Sequence, residues 1–87
     1  MCGGFAADKP VTPEIQQLLD GLKTQIQSRL DASFSIFKAL TYQSQVVAGT
    51  NYKIKVEVDD GKILEVVIFQ PLPYTGNPAK LTDAKFV

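Results

Sequence analysis

The sequence predicts a single α+β domain in which one helix covers one face of an antiparallel sheet. Three observations lead to this fold class. Apolar residues recur at helical spacing between positions 15 and 30, and later segments carry apolar residues at every second position, as half-buried strands do. Glycines near positions 49 and 61 lie between strand-like runs and indicate hairpins. With 87 residues, the chain suffices for one domain with a modest core.

Residues 1–9 form a segment of small residues without a hydrophobic pattern. Gly3 and Gly4 predict a flexible arm that becomes ordered when another molecule binds it. The segment begins with Met1 and has neither a basic start nor an apolar run of signal-peptide length, so we expect a cytoplasmic protein. The single cysteine, Cys2, fits a reducing compartment because it excludes an internal disulfide.

The helix is predicted to begin at Thr12-Pro13-Glu14. Thr12 can serve as the N-cap, Pro13 suits the first helical position, and Glu14 complements the positive end of the helix dipole. An apolar stripe then follows at helical spacing: Ile15, Leu18, Leu19, Leu22, Ile26 and Leu30. Since the other faces are polar and mixed in charge, the stripe predicts a core-packing helix of about four to five turns. Gly21 weakens this helix by about 1 kcal/mol relative to alanine, and we expect it to permit the close approach of a strand.

Four strands are predicted after the helix, with the approximate bounds 34–46, 52–58, 63–69 and 80–86. The first does not keep a single alternation, which predicts a bulge in a strand that bends around the helix. The third is apolar at nearly every position, which predicts burial or curvature over the core. Asp59-Asp60-Gly61-Lys62 predicts a hairpin turn, and the prolines between positions 70 and 78 predict a stiff loop.

The hairpin tip Gln45-Val46-Val47-Ala48-Gly49 is unusually apolar for a turn. Gly49 gives the turn access to a positive φ at little steric cost. Val46 and Val47 have two interpretations. They are the last residues of a buried strand, or they form a small hydrophobic wedge intended for a pocket of another molecule.

The same five residues resemble the QxVxG motif of the cystatins, which inhibit papain-like cysteine proteases. The longer string SQVVAGTNY, residues 44–52, resembles the stefins, the small intracellular type 1 branch of that superfamily. This resemblance implies a curved antiparallel sheet wrapped around one α-helix, as a single domain over residues 1–87 with residues 1–9 as the binding arm. It implies a reversible, tight-binding competitive inhibitor whose partners are papain-like proteases of the cathepsin type.

Three protease-binding segments are implied by the resemblance. In stefins a glycine of the arm lies at the protease contact, and the spacing from Lys9 matches it to Gly3, with Gly4 as the near alternative. A Leu-Pro pair heads the second binding loop and matches Leu72-Pro73. The implied binding residues are Gly3, Gly4, Gln45, Val46, Val47, Ala48, Gly49, Leu72, Pro73 and Tyr74. Pro71 and Tyr74 are particular to this chain.

The C-terminal segment, residues 79–87, is shorter than in stefins, which would weaken the grip on an enzyme or the closure of the sheet edge. This departure leaves a second interpretation, a non-inhibitory protein-binding scaffold of the cystatin fold, although the two intact loops favour the inhibitor. Two β-branched residues in a tight turn would also be strained. Straightening the turn would exchange N-terminal halves between molecules, so a domain-swapped dimer is expected beside the monomer, as in other stefins.

Composition excludes several other function classes. The chain has no histidine, so it lacks a Cys-His dyad and the commonest general base and metal ligand. We therefore expect no catalytic residue, cofactor or metal. Nine basic and nine acidic residues give zero net charge, and the basic ones are scattered, which argues against nucleic acid or an anionic membrane as a partner. No apolar stretch approaches the length of a membrane-spanning helix.

Overall fold

The computed structural model describes residues 8–72 and 76–87. Within these ranges, five strands form one antiparallel sheet and two consecutive helices pack on it. In chain order the elements are β1 (Lys9–Pro10), α1 (Pro13–Gly21), α2 (Lys23–Leu30), β2 (Phe37–Val47), β3 (Gly49–Val58), β4 (Ile63–Gln70) and β5 (Lys80–Phe86). The strands lie side by side in chain order, so each neighbouring pair is antiparallel. The predicted α+β fold class is confirmed.

The helical segment begins as predicted but is interrupted once. Thr12 is the N-cap, and its Oγ1 accepts a hydrogen bond of 3.3 Å from the backbone N–H of Ile15. At Leu22 the backbone leaves helical geometry, with φ −110° and ψ 6°, and its N–H donates to the Leu19 carbonyl over a tighter turn. The prediction of one uninterrupted helix is therefore wrong. Gly21, which favours helix poorly, directly precedes the break.

Both helices nevertheless present the same apolar stripe to the sheet. The Ile26 N–H donates to the Leu22 carbonyl at 3.0 Å, so the helical register resumes directly after the break. The buried core consists of Ile15, Leu19, Leu22, Ile26, Ala39, Ile54, Val56, Val58, Leu64, Val66, Ile68 and Ala84. Leu18 and Leu30 flank this core and are only partly buried. The expectation for Gly21 is wrong, because a Cβ there would meet no atom within 4 Å.

The long strand β2 contains the predicted bulge. Its pairing with β3 shifts between Ala39 and Thr41, which leaves Leu40 as the extra residue with 39% of its surface exposed. The strand β4 alternates instead of being buried throughout, because only Leu64, Val66 and Ile68 face the core. Only one face of β4 packs on the core, so its remaining apolar residues are half-buried on the outer face of the sheet.

The two-residue strand β1 was not predicted. Lys9 lies opposite Tyr42 and Pro10 opposite Thr41, so Lys9 belongs to the sheet although the sequence places it in the arm. A strand this short has no measurable periodicity. Proline is tolerated there because β1 is an edge strand and its missing N–H need not face a partner.

The turn between β3 and β4 confirms the hairpin predicted at Asp59-Asp60-Gly61. Asp60 and Gly61 have φ values of 64° and 69°, which the aspartate and glycine tolerate well. The Asp59 carboxylate accepts hydrogen bonds from the backbone N–H groups of Ser35 at 3.0 Å and Ile36 at 2.6 Å. These two bonds lower the pKa of Asp59 from its ordinary value of 3.8. The turn thus holds the segment that leads into β2.

We expect the Asp59 bonds to make stability depend on acid pH. A carboxyl whose pKa is lowered by folding contributes stability above its ordinary pKa, and this contribution is lost as the pH falls through the lowered value. The Asp59→Asn variant should therefore melt below the parent protein near neutral pH, and the difference should shrink as the pH falls below about 4. Thermal unfolding followed by circular dichroism across this range measures the effect.

The Asp60→Asn variant is the matched control, because it removes a neighbouring charge of the same turn and leaves the Asp59 carboxylate in place. Its difference from the parent should be small at all pH values. A difference between the parent and Asp59→Asn that stays constant as the pH falls well below about 4 would contradict the assignment.

Candidate functional site

The apolar hairpin tip is closed by one residue between β2 and β3. Val46 lies opposite Thr50 and Val47 opposite Gly49, so Ala48 alone forms the turn. Val46 and Val47 are the last residues of β2, yet 77% and 39% of their surfaces are exposed, and Ala48 is exposed as well. The interpretation as the end of a buried strand is therefore wrong. The tip presents apolar surface that the core does not use.

The two valines lie on opposite faces of the hairpin. Side chains alternate along a strand, and the Val46–Thr50 pair lies four pairs from the Tyr42–Ile54 pair, which places Val46 on the same, core-facing side. Val47 therefore lies on the outer face of the sheet, the side away from the helices. The tip is apolar on both sides, which gives it the shape and chemistry of a thin wedge.

Gly49 is required at its position for two independent reasons. Its φ is +129°, which confirms the positive φ predicted from the sequence. A Cβ at Gly49 would also lie 2.7 Å from Cζ and 2.8 Å from Cε1 of Phe69, and 2.7 Å from the Gln70 carbonyl oxygen. Any side chain here must displace the neighbouring strand β4 or the tip itself.

A polar pair stands directly behind the tip. Asn51 lies opposite Gln45, and its Nδ2 donates a hydrogen bond of 3.3 Å to Gln45 Oε1. Both side chains are half-buried. This cross-strand bond supports the register that leaves Ala48 alone in the turn.

The described part of the second loop begins beside the tip. Gln70, the last residue of β4, lies opposite Thr50, so the chain leaves the sheet one residue away from Gly49. Leu72 follows two residues later and is half-buried. Of the residues predicted to bind a protease, Gly3, Gly4, Pro73 and Tyr74 lie outside the described ranges.

The strand β1 points toward the end of the sheet that carries the hairpin tip. Lys9 lies opposite Tyr42 and Pro10 opposite Thr41, in antiparallel pairing. Toward its N-terminal end, β1 therefore points along β2 in the direction of Val47. The structure brings Gln45–Gly49 and the start of the Leu72 segment together, and β1 is aimed at them.

Neither Val46 nor Val47 has a positive φ. Among the described residues, a positive φ outside glycine occurs only at Asp31 and Asp60. The left-handed conformation of the tip falls on Gly49, which tolerates it, and the strain predicted at Val46 and Val47 stays a prediction.

Sequence reasoning missed Phe69 as a neighbour of the tip. Nothing in the sequence indicates that a residue 20 positions after Gly49 covers it, because this contact depends on the pairing of β3 with β4. In residues 8–72 and 76–87, no three acidic or cysteine side chains come together as metal ligands. The helices within those ranges are too short or too polar to cross a membrane.

Comparisons with known proteins find similar sequences and a similar fold. The cystatin domain family model matches residues 3–86. Over 83 residues the chain is 43% identical to cystatin-B of Bos taurus and 41% identical to cystatin-B of Homo sapiens, covering 95% of this chain and 85% of each relative. A solved structure, the secreted type 1 cystatin from Fasciola hepatica, superimposes with a TM-score of 0.82 at 29% identity, covering 98% of this chain and 96% of the other.

Proposed function

Because the chain belongs to the cystatin family, and within it to the type 1 cystatins or stefins, we propose that it is a reversible, tight-binding competitive inhibitor of papain-like cysteine proteases. The observation that carries this proposal is the exposed apolar tip at Val46 and Val47. A folded domain gains nothing from displaying two β-branched side chains at a tight turn, whereas a protease cleft offers them a place to be buried.

The proposed mechanism is the occlusion of the active-site cleft by three segments. The arm, with Gly3 or Gly4 at the contact, takes the unprimed side. The segment Gln45–Gly49 and the loop from Leu72 to Tyr74 take the primed side. The short distance along the sheet between Gly49 and the end of β4 supports this arrangement, as does the direction of β1.

Inhibition by such a wedge needs no chemistry from this chain. Val46, Val47 and Leu72 would contribute through the burial of apolar surface, and no bond to the catalytic cysteine of the protease is formed. The tip is closed by a single residue and braced by the Gln45–Asn51 hydrogen bond, so little order has to be gained on binding. No catalytic group, cofactor or metal on this chain takes part. Cathepsin-type targets and a cytoplasmic location belong to the same proposal.

The test is a titration of size-exclusion-purified monomer against papain and a cathepsin L-type enzyme, with a small fluorogenic substrate. We expect competitive inhibition at about nanomolar concentration or below, as in other tight protease–inhibitor pairs. Val47→Asp should raise the inhibition constant by roughly a hundredfold or more, because it places a charge in an apolar contact.

Leu40→Asp is the matched control for this titration. Leu40 and Val47 are each 39% exposed and belong to the same strand, but the bulge at Leu40 lies seven residues from Val47. This control should inhibit like the parent. Equal inhibition by the parent and Val47→Asp would mean that the hairpin tip takes no part in inhibition.

The alternative function is a non-inhibitory protein-binding scaffold of the same fold. A verified monomer that inhibits neither protease would favour it. Deletion of Met1–Gly4 separates the contribution of the arm from that of the tip, since it should weaken inhibition while leaving the thermal unfolding of residues 8–87 unchanged.

We further propose that the monomer is the inhibiting form. Exchange of N-terminal halves between two molecules would open the turn at Ala48 and join β2 to β3, which removes the wedge. Any dimer separated by size exclusion after mild heating should therefore be inactive in the same assay.

A further inference from the structure

We propose that Phe69 is a positioning residue that holds the hairpin tip at a set distance from the second loop. This inference rests on the proposed inhibitory function and adds a residue to it. Phe69 is the penultimate residue of β4, outside the segments assigned to protease contact. Its ring lies against Gly49, and the chain continues from it through Gln70 and Pro71 to Leu72.

The contact is a diagonal one across two strands. In the β3–β4 register Phe69 lies opposite Asn51, and Gly49 is two residues further toward the tip. Diagonal neighbours of this kind come within reach of an aromatic side chain. The far end of the ring, Cζ and Cε1, reaches the position where a side chain of residue 49 would begin. Phe69 thus fills the space that glycine leaves empty, a known way of stabilising glycines within sheets.

The Gln70 carbonyl oxygen also borders this space. It lies 2.7 Å from the position of a Cβ on Gly49, as close as the Phe69 ring. Gly49 is therefore enclosed by two consecutive residues of β4, and it is buried although its neighbour Ala48 is exposed. A tip held from the side of β4 has a defined position relative to the end of β4 and to Pro71 and Leu72, which follow it.

A defined separation matters for a two-loop wedge. If both loops enter one cleft, each must already be correctly placed when the other binds, and freedom at the tip is lost on association at the expense of affinity. Removal of the Phe69 ring leaves a gap beside Gly49 into which the tip can move. The expected effect is faster dissociation rather than slower association, as for most changes of a preformed interface.

The first measurement is the dissociation rate of the papain complex for Phe69→Ala, with Val67→Ala as the matched control. Val67 is half-buried on the same face of β4, two residues earlier, and lies opposite Lys53 rather than beside the tip. Phe69→Ala should dissociate about tenfold faster or more. Val67→Ala should dissociate like the parent even if it melts at a lower temperature. Equal rates for Phe69→Ala and the parent would overturn the proposal.

A double-mutant cycle separates positioning from a general loss of stability. Gly49→Ala collides with the ring, so its effect on the inhibition constant should be smaller in the Phe69→Ala background than in the parent. In the Val67→Ala background the effect of Gly49→Ala should be unchanged. Full additivity of Gly49→Ala and Phe69→Ala would overturn the proposal.

A readout without any protease distinguishes failure of this inference from failure of the proposed function. The ring current of Phe69 acts on the α protons of Gly49, so their NMR resonances should move in Phe69→Ala and stay in place in Val67→Ala. If the Gly49 resonances move but the parent protein does not inhibit papain, the positioning role of Phe69 stands and the proposed inhibitory function is contradicted. Unmoved resonances together with faster dissociation would mean that Phe69 touches the protease directly, which contradicts positioning.

Discussion

Replacing Gly49 with alanine is expected to weaken inhibition of papain by roughly a hundredfold. The backbone there has φ +129°, and an unusual conformation of this kind costs an L-residue about 1–3 kcal/mol. The added Cβ also meets the Phe69 ring at 2.7 Å and the Gln70 carbonyl oxygen at 2.7 Å. The tip must move away from β4, so the wedge no longer presents Val46 and Val47 where the parent does. Gly49→Arg should be at least as severe.

Gly61→Ala separates the cost of the positive φ from the cost of the steric contacts. Gly61 also has a positive φ, +69°, but a Cβ there meets no atom within 4 Å. It lies in the turn at the opposite end of β3, beyond Val58. This control should lower stability by about 1 kcal/mol and leave inhibition unchanged. Inhibition by Gly49→Ala at the parental level would contradict both the enclosure of Gly49 and its place in the wedge.

Replacing Leu19 with alanine is expected to lower the free energy of unfolding by about 2–5 kcal/mol. Leu19 is fully buried at 0% exposure and is among the largest fully buried side chains between the helices and the sheet. A domain of 87 residues has only about 5–15 kcal/mol of stability in total, so this single change removes a large part of it. Urea unfolding followed by circular dichroism measures the loss.

The neighbouring Leu18 provides the control for Leu19. It is also a leucine of α1, but it is only partly buried at the edge of the core. Leu18→Ala should cost about 1 kcal/mol, since less apolar surface returns to water. Equal losses for the two variants would mean that the apolar stripe is rotated relative to the sheet. Neither leucine belongs to the tip, so the folded fraction of both should inhibit like the parent.

The order of the elements could be predicted because its signals are local. A cap at Thr12, an apolar stripe at helical spacing, and period-two runs separated by glycine turns depend only on residues a few positions apart. The bounds of β5, 80–86, and the presence of a bulge in β2 were also predicted, whereas the position of the bulge at Leu40 comes from the strand register. The break at Leu22 escaped prediction because the stripe runs through it and carries no signal of the backbone change.

The candidate site was recognised from a short motif, but the exposure of its two valines was not predicted. The string from Ser44 to Tyr52 leads to the cystatin family, which the comparisons bear out. Whether Val46 is covered depends on how far the helices extend along the core-facing side of the sheet, whereas Val47 lies on the outer face; composition does not contain this information. The roles of Gly3, Gly4, Pro73 and Tyr74 stay predictions that follow from the resemblance.

The sequence by itself determined the fold class, the succession of one helical segment and the strands that follow it, and the family, because periodicity, capping and motif are properties of neighbouring residues. The tertiary structure alone decided which apolar residues remain exposed, that β1 joins the sheet, that Asp59 holds the entry to β2, and that Phe69 and Gln70 enclose Gly49. Each of these contacts joins residues about 20 to more than 30 positions apart. Their geometry is set by strand register and bending, which arise only when the whole sheet is assembled around its core.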